Sequence, residues 1–120
     1  MGTLEDAKHA MGEDWAMEYE RRYGQESAFK ALDSLFLEFL RNGSGKVDEE
    51  RFAMPIIRAI ASMTEDDIQI WMRKMVNAEL DASNVSQDNL LKVYEEYQTF
   101  ARGKKVECQA ILKEQQGLRN

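Results

Sequence analysis

The sequence predicts an all-α fold of paired helix-loop-helix units, with an added N-terminal helix and a C-terminal helical extension. The chain has a single proline and no apolar–polar alternation long enough for a strand. Its apolar residues instead recur at the three- and four-residue spacing of one helix face. Capping residues and glycines separate these periodic stretches, so the sequence also marks where helices begin and end.

The first two helices are predicted on either side of Gly24. A helix from about Leu4 to Tyr23 is expected to end there, because glycine commonly follows the last helical residue. A second helix begins near Ser27 and ends at the Asn42–Gly43 dipeptide, which is typical of a turn. Its apolar face comprises Phe29, Leu32, Leu35, Phe36, Phe39 and Leu40.

The later helices are predicted from their caps. Asp48 is a good N-cap residue for a third helix, in which Pro55 is expected to cause a kink. Thr64 opens a fourth helix and Ser86 a fifth. The basic run at 102–105 interrupts the pattern before a last amphipathic piece. One domain over 1–120 is expected, with an N-terminal helix at 1–24, helix-loop-helix units at 27–62 and 64–101, and a helical extension and tail at 104–120.

Composition excludes several classes of function. The formal net charge of -6 disfavours nucleic acid, which requires a basic face, and favours basic partners. A lone cysteine cannot form an internal disulfide, and no apolar run is long enough to span or insert into a membrane, so we expect a cytoplasmic protein. No catalytic, phosphate-binding or zinc motif is present, so we expect neither an enzyme nor a cofactor.

Two segments share one plan, in which a valine and a capping residue precede a large apolar residue. The first contains Val47, Asp48 and Phe52, and the second contains Val85, Ser86 and Leu90. This arrangement resembles the EF-hand family, and calmodulin-like and myosin light chain-like proteins in particular. The resemblance implies that Val47 and Val85 pair as a short antiparallel link between two loops. The degenerate first loop contains Leu40, Asn42, Ser44, Gly45, Asp48 and Arg51.

The first loop lacks the two ligands that a calcium site of this family needs most. Calcium requires about six to eight oxygen ligands, with a carboxylate at the first loop position and a bidentate glutamate at the last. Leu40 and Arg51 occupy those positions here. We therefore expect neither calcium nor another metal to bind. Gly45 keeps a geometric role, because its loop position requires a positive φ.

The resemblance implies a calcium-independent binding module, similar to a light-chain adaptor, that holds a basic amphipathic helix of a larger protein. Flexible methionines and aromatic rings suit an apolar groove for such a helix. The candidate groove residues include core positions that the sequence does not separate from contact positions. They are Phe36, Phe39, Ile56, Ile60, Trp71, Met72, Met75, Leu90 and Tyr94.

Two other hypotheses remain open at the level of sequence. The chain could be a structural accessory subunit of a large assembly, with its terminal helices making the contacts. It could also be a small helical protein unrelated to EF-hands, dimeric through those helices. A structure in which Val47 and Val85 are not paired would favour this last hypothesis.

Overall fold

A computed structural model describes residues 13–83 and 85–119 of the chain. The regular secondary structure among these residues consists of helices joined by turns and loops, which confirms the predicted all-α class. We number the α-helices in chain order. They are α1 (Glu13–Asn42), α2 (Met54–Ala61), α3 (Glu65–Asp81) and α4 (Leu90–Arg119), and the short 3-10 helix Gln87–Asn89 precedes α4.

Helix α1 runs through Gly24 without interruption, so the predicted break between 24 and 27 is wrong. A glycine inside a helix costs only about 1 kcal/mol relative to alanine. That cost is offset because α1 buries an apolar face further along, including Leu32 and Leu35. Gln25 also donates a 2.7 Å hydrogen bond to the Asp67 carboxylate on α3. The predicted helix start near Leu4 lies outside the described residues.

Helix α2 begins at Met54, so the predicted start at Asp48 is wrong. Residues 48–52 form a turn, in which the backbone oxygen of Asp48 accepts hydrogen bonds from the Arg51 and Phe52 amides at 3.1 and 2.9 Å. Pro55 lies in the first turn of α2. A proline there needs no hydrogen-bond partner and its φ already suits a helix, so the expected kink does not occur.

Helix α3 begins as predicted, with a capping box at Thr64. The Asp67 amide donates to the Thr64 hydroxyl at 3.1 Å, and the Thr64 amide donates to the Asp67 carboxylate at 2.9 Å. Three acidic residues in the first turn complement the positive end of the helix dipole.

Helix α4 is one helix from Leu90 to Arg119, so the predicted interruption at 102–105 is wrong. The predicted extension at 104–120 is its second half. Nothing lies within 4 Å of the Cβ position of Gly103. The helix continues through this glycine because residues on both sides of it, Ala101 and Cys108, are buried in the core. Ser86 stands before the 3-10 helix but caps it with no side-chain hydrogen bond.

The core lies where α2 and the C-terminal half of α1 pack with α3 and α4. Trp71 is fully buried at its centre and contacts the rings of Phe36, Tyr97 and Phe100, with centroids 5.5–6.3 Å away. Its indole nitrogen donates a 2.9 Å hydrogen bond to Asp33. The other large side chains that are fully buried are Leu32, Leu35, Ile57, Ile60, Met63, Ile68, Val76 and Cys108.

Candidate functional site

The loop between α1 and α2 folds back against α1, and Gly45 makes this possible. Its φ of +66° confirms the predicted left-handed conformation. A Cβ at this position would stand 2.7 Å from the backbone oxygen of Leu35 and 3.1 Å from Cβ of Phe39. Gly43 also has a positive φ, of +73°, but open space surrounds its Cβ position. Only Gly45 is therefore required by close packing as well as by conformation.

The polar side chains of this loop bind neighbouring protein groups. The Asn42 side-chain oxygen accepts hydrogen bonds from the amide and the hydroxyl of Ser44. Asp48 accepts a 2.9 Å hydrogen bond from the Glu50 amide. Arg51 pairs with Glu38 of α1. These contacts make a closed turn in which Asn42, Ser44, Asp48 and Arg51 each have a partner within the protein.

The residues at the calcium-ligand positions and the valine pair implied by the resemblance are placed as follows. Leu40, at the first loop position, is 65% exposed. Over 13–83 and 85–119, no group of three or more His, Cys, Asp or Glu side chains could hold a metal ion. The Val47 amide donates a 2.7 Å hydrogen bond to the Glu107 carboxylate of α4. Within the same ranges, no backbone hydrogen bond joins Val47 to Val85, so the implied antiparallel link is not confirmed, and this observation favours the hypothesis of a helical protein unrelated to EF-hands.

A polar cleft of about 830 Å³ lies between this loop and α4. The Glu107 carboxylate that holds the Val47 amide lines the cleft, and Lys104 binds that carboxylate at 2.9 Å. At the edge of the loop, the Gln115 side chain donates to Glu49 at 3.0 Å. The loop is therefore fastened to α1 through Arg51 and to α4 through Glu107.

The nine predicted groove residues do not share one open surface. Ile60, Trp71 and Met72 are buried core residues, at 0–3% exposure. Phe39 is 43% exposed and stacks on Phe36. The other members of the predicted set are partly buried and pack against the core: Phe36, Ile56, Met75, Leu90 and Tyr94.

An apolar groove is nevertheless present between the C-terminal half of α1 and α3, with a volume of about 280 Å³. We call it the α1–α3 groove. Two exposed leucines, Leu37 at 46% and Leu40 at 65%, lie along it. Its complete lining is Asp33, Phe36, Leu37, Leu40, Met75, Ala78, Glu79 and Tyr97.

Part of this lining is predictable from the sequence. Phe36 and Met75 were predicted as groove residues, and both line the groove. Leu40 was assigned to the degenerate loop, although its side chain is part of the groove. Leu37 was missed because it lies off the helix face chosen from the periodicity. The signal that could have found Leu37 is the run of apolar residues at 35–37 and 39–40, which is too broad for a single buried face.

Two carboxylates stand in the lining of the α1–α3 groove, and internal hydrogen bonds position both. One oxygen of Asp33 accepts the hydrogen bond from Trp71, and its other oxygen lies 4.0 Å from Lys74 Nζ. One oxygen of Glu79 accepts a 2.6 Å hydrogen bond from the Tyr97 hydroxyl. Burial raises the pKa of Tyr97, and the hydrogen bond to Glu79 raises it further. The hydroxyl therefore stays protonated and remains a donor at neutral pH.

The single cysteine has no character of a nucleophile. Cys108 is fully buried on α4. Burial is the largest cause that raises the pKa of its thiol to about 11, with the neighbouring Glu107 charge second. A reactive cysteine requires the opposite shift, together with access to solvent.

Comparison with known proteins found no match among family models, curated proteins or solved structures. In the part of the chain that the structure describes, no helix has the length and apolar character needed to cross a membrane.

Proposed function

We propose that this chain is a calcium-independent, non-catalytic protein-binding module that holds a basic amphipathic helix of a larger protein, as a light-chain-like adaptor would. The observation that carries the proposal is the α1–α3 groove, which combines an apolar lining with two carboxylates. Amphipathic helices commonly bind by placing apolar residues of one face into such a groove. The EF-hand resemblance, with its implied pairing of loops, is a separate proposal that the groove does not require.

The groove suits a partner helix in both size and chemistry. Its volume of about 280 Å³ accommodates a few apolar side chains of one helix face. Leu37 and Leu40 would lose exposed apolar surface when a helix covers them, which favours association by about 25 cal/mol for each Å² buried. Asp33 and Glu79, together with the net charge of -6, favour basic residues beside those apolar ones.

Independence from calcium is supported by the contacts of the loop. Its bend is maintained by the positive φ of Gly45 and by the hydrogen bond from Val47 to Glu107. Arg51, at the last loop position, is paired with Glu38. The geometry of the loop is thus accounted for by the protein's own groups.

Methyl NMR tests this proposal directly. The probe is a helical peptide with leucines on one face and lysines beside them, and a second peptide replaces each lysine with glutamate. We expect the basic peptide to shift the methyl signals of Leu37, Leu40 and Met75 and the acidic peptide to leave them unchanged. Shifts confined to Leu91, which is 72% exposed on α4 outside the groove, would refute the assignment of this surface.

A structural accessory subunit is the second candidate, and one observation favours it. Met17 and Tyr23 on the N-terminal half of α1 are 68% and 67% exposed, and Val106 on α4 is 63% exposed. In this alternative, the terminal parts of the long helices contact the assembly. Cross-linking of the chain in cell extract distinguishes the two candidates, because cross-links at the N-terminal half of α1 favour the subunit and cross-links beside Leu40 favour the adaptor.

A further inference from the structure

We infer that the partner helix carries two cationic side chains about two turns apart, one for Asp33 and one for Glu79, with an apolar pair between them. This inference rests on the proposed function and specifies the chemistry of the partner at the α1–α3 groove. It follows from the positions of the two carboxylates along the groove and from the way each is held.

The two carboxylates of the groove lining lie at different levels along α3. Asp33 contacts Trp71 and Lys74 of α3, and Glu79 lies five to eight residues further along that helix. At 1.5 Å per residue, the separation along α3 is roughly 8–12 Å. Met75 and Ala78 lie between these levels and supply the apolar lining.

Helices α1 and α3 run in the same direction beside the groove. Gln25 binds Asp67, Asp33 binds Trp71, and both pairs advance together toward the C-terminal ends of the helices. Leu37 and Leu40 follow Asp33 by four and seven residues on α1, so they lie roughly 6 and 10 Å further toward its C-terminal end. Both leucines therefore continue along the groove from Asp33 in the direction in which Glu79 lies on α3.

Each carboxylate is held in place while retaining capacity to accept another hydrogen bond. Trp71 binds one oxygen of Asp33, and the Tyr97 hydroxyl binds one oxygen of Glu79. Among the described residues, Glu79 has no ion pair, and Asp33 has only the 4.0 Å approach of Lys74. That approach joins two exposed groups, and such surface pairs contribute little. A cation from a partner can therefore bind at each of the two carboxylates.

A partner helix matches this spacing with residues at i, i+3, i+4 and i+7. Two cations at i and i+7 are about 10.5 Å apart along a helix and lie on one face. Apolar residues at i+3 and i+4 lie between them on the same face. The corresponding motif is Lys-x-x-Leu-Leu-x-x-Lys. Cations at i and i+4 span only about 6 Å and would reach one carboxylate at a time.

The test uses two alanine-based helical peptides of identical composition. One contains Lys-x-x-Leu-Leu-x-x-Lys, and the other has the two lysines moved to the opposite helix face. Dissociation constants are measured by calorimetry with the wild-type chain, Asp33→Asn, Glu79→Gln and the control Glu26→Gln, an exposed acid on α1 away from the groove. Asparagine and glutamine keep an oxygen acceptor for Trp71 and Tyr97, so the core is preserved, which circular dichroism verifies.

We expect the matched peptide to bind about tenfold more tightly than the rearranged one, which corresponds to 1.4 kcal/mol. Asp33→Asn and Glu79→Gln should each remove about a threefold part of that advantage, so that together they account for the tenfold, and Glu26→Gln should remove none. Equal affinity for the two peptides would overturn the inference and leave the proposed function standing. If neither peptide binds, the proposed function fails and the inference fails with it.

Discussion

Gly45→Ala, compared with Gly43→Ala, measures how firmly the loop is packed on α1. Both glycines have left-handed backbone conformations, with φ values of +66° and +73°. They differ in their surroundings. An added Cβ at Gly45 would stand 2.7 Å from the Leu35 backbone oxygen, whereas nothing lies within 4 Å of the Cβ position at Gly43.

The left-handed conformation costs a residue with a Cβ about 1–2 kcal/mol, and both variants incur this cost. At Gly43 the alanine also lowers the conformational entropy of the unfolded chain, which offsets part of this cost. We therefore expect Gly43→Ala to lower the free energy of unfolding by about 1 kcal/mol. At Gly45 the new methyl meets a carbonyl fixed inside α1, and overpacking of this kind adds about 1–3 kcal/mol. We therefore expect Gly45→Ala to lower the free energy of unfolding by about 2–4 kcal/mol.

Urea denaturation followed by circular dichroism provides the comparison, because the two variants make the same chemical change in one loop. The expected difference of about 1–3 kcal/mol lies well outside the usual uncertainty for variants with equal m values. Losses equal within about 0.5 kcal/mol would show that the loop does not contact α1 at Leu35, and the description of a closed turn would then be wrong.

Three further predictions follow from the helices and the core. Gly24→Ala and Gly103→Ala should each raise the free energy of unfolding by up to about 1 kcal/mol in urea, because both lie inside continuous helices with space for a Cβ; a loss at either site would contradict that continuity. Glu107→Ala removes the hydrogen-bond acceptor of the Val47 amide, so hydrogen exchange of that amide should accelerate about tenfold while amides in α3 keep their rates. An unchanged exchange rate at Val47 would contradict the contact. The pKa of Cys108 is raised from 9.0 to about 11, so the contribution of its neutral thiol to stability is present below pH 9 and is lost as the pH rises toward 11. The urea midpoint of Cys108→Ala should therefore vary less with pH over this window than that of the wild-type chain, and equal pH dependence would refute the shift.

The features that the sequence predicted correctly have local causes. The start of α3 depends on Thr64 and Asp67, which bind each other's backbone within one turn. The positive φ of Gly45 follows from its place in a tight loop. The all-α class follows from the spacing of apolar residues along the whole chain.

The wrong helix boundaries have a common physical reason, which is that packing outweighs a local signal. Gly24 was predicted to end a helix, but its cost of about 1 kcal/mol is small beside the burial of Leu32 and Leu35 on the same helix. Asp48 was predicted to cap α2, but its side chain binds the Glu50 amide within a turn instead. Pro55 is well placed in a first helical turn, and that placement fixes the start of α2.

The candidate site was only partly predictable because a groove depends on where a second helix lies. Periodicity identifies Phe36 as apolar-facing but does not show that Leu37 and Leu40 stand opposite Met75 and Ala78 of α3. Charge patterning also gave no sign that Asp33 and Glu79 share this groove, since they lie on different helices. The EF-hand resemblance and the identity of the partner remain predictions.

The most direct test of the central claim is the affinity of the Lys-x-x-Leu-Leu-x-x-Lys peptide, measured by calorimetry in calcium and in chelator. Leu40→Gln is the test variant, and Leu91→Gln is its control, because both leucines are strongly exposed, at 65% and 72%. We predict one dissociation constant in both solutions, a loss of about tenfold or more in Leu40→Gln, and no change in Leu91→Gln. Binding that requires calcium, or that weakens equally in the two variants, would contradict a calcium-independent module that uses the α1–α3 groove.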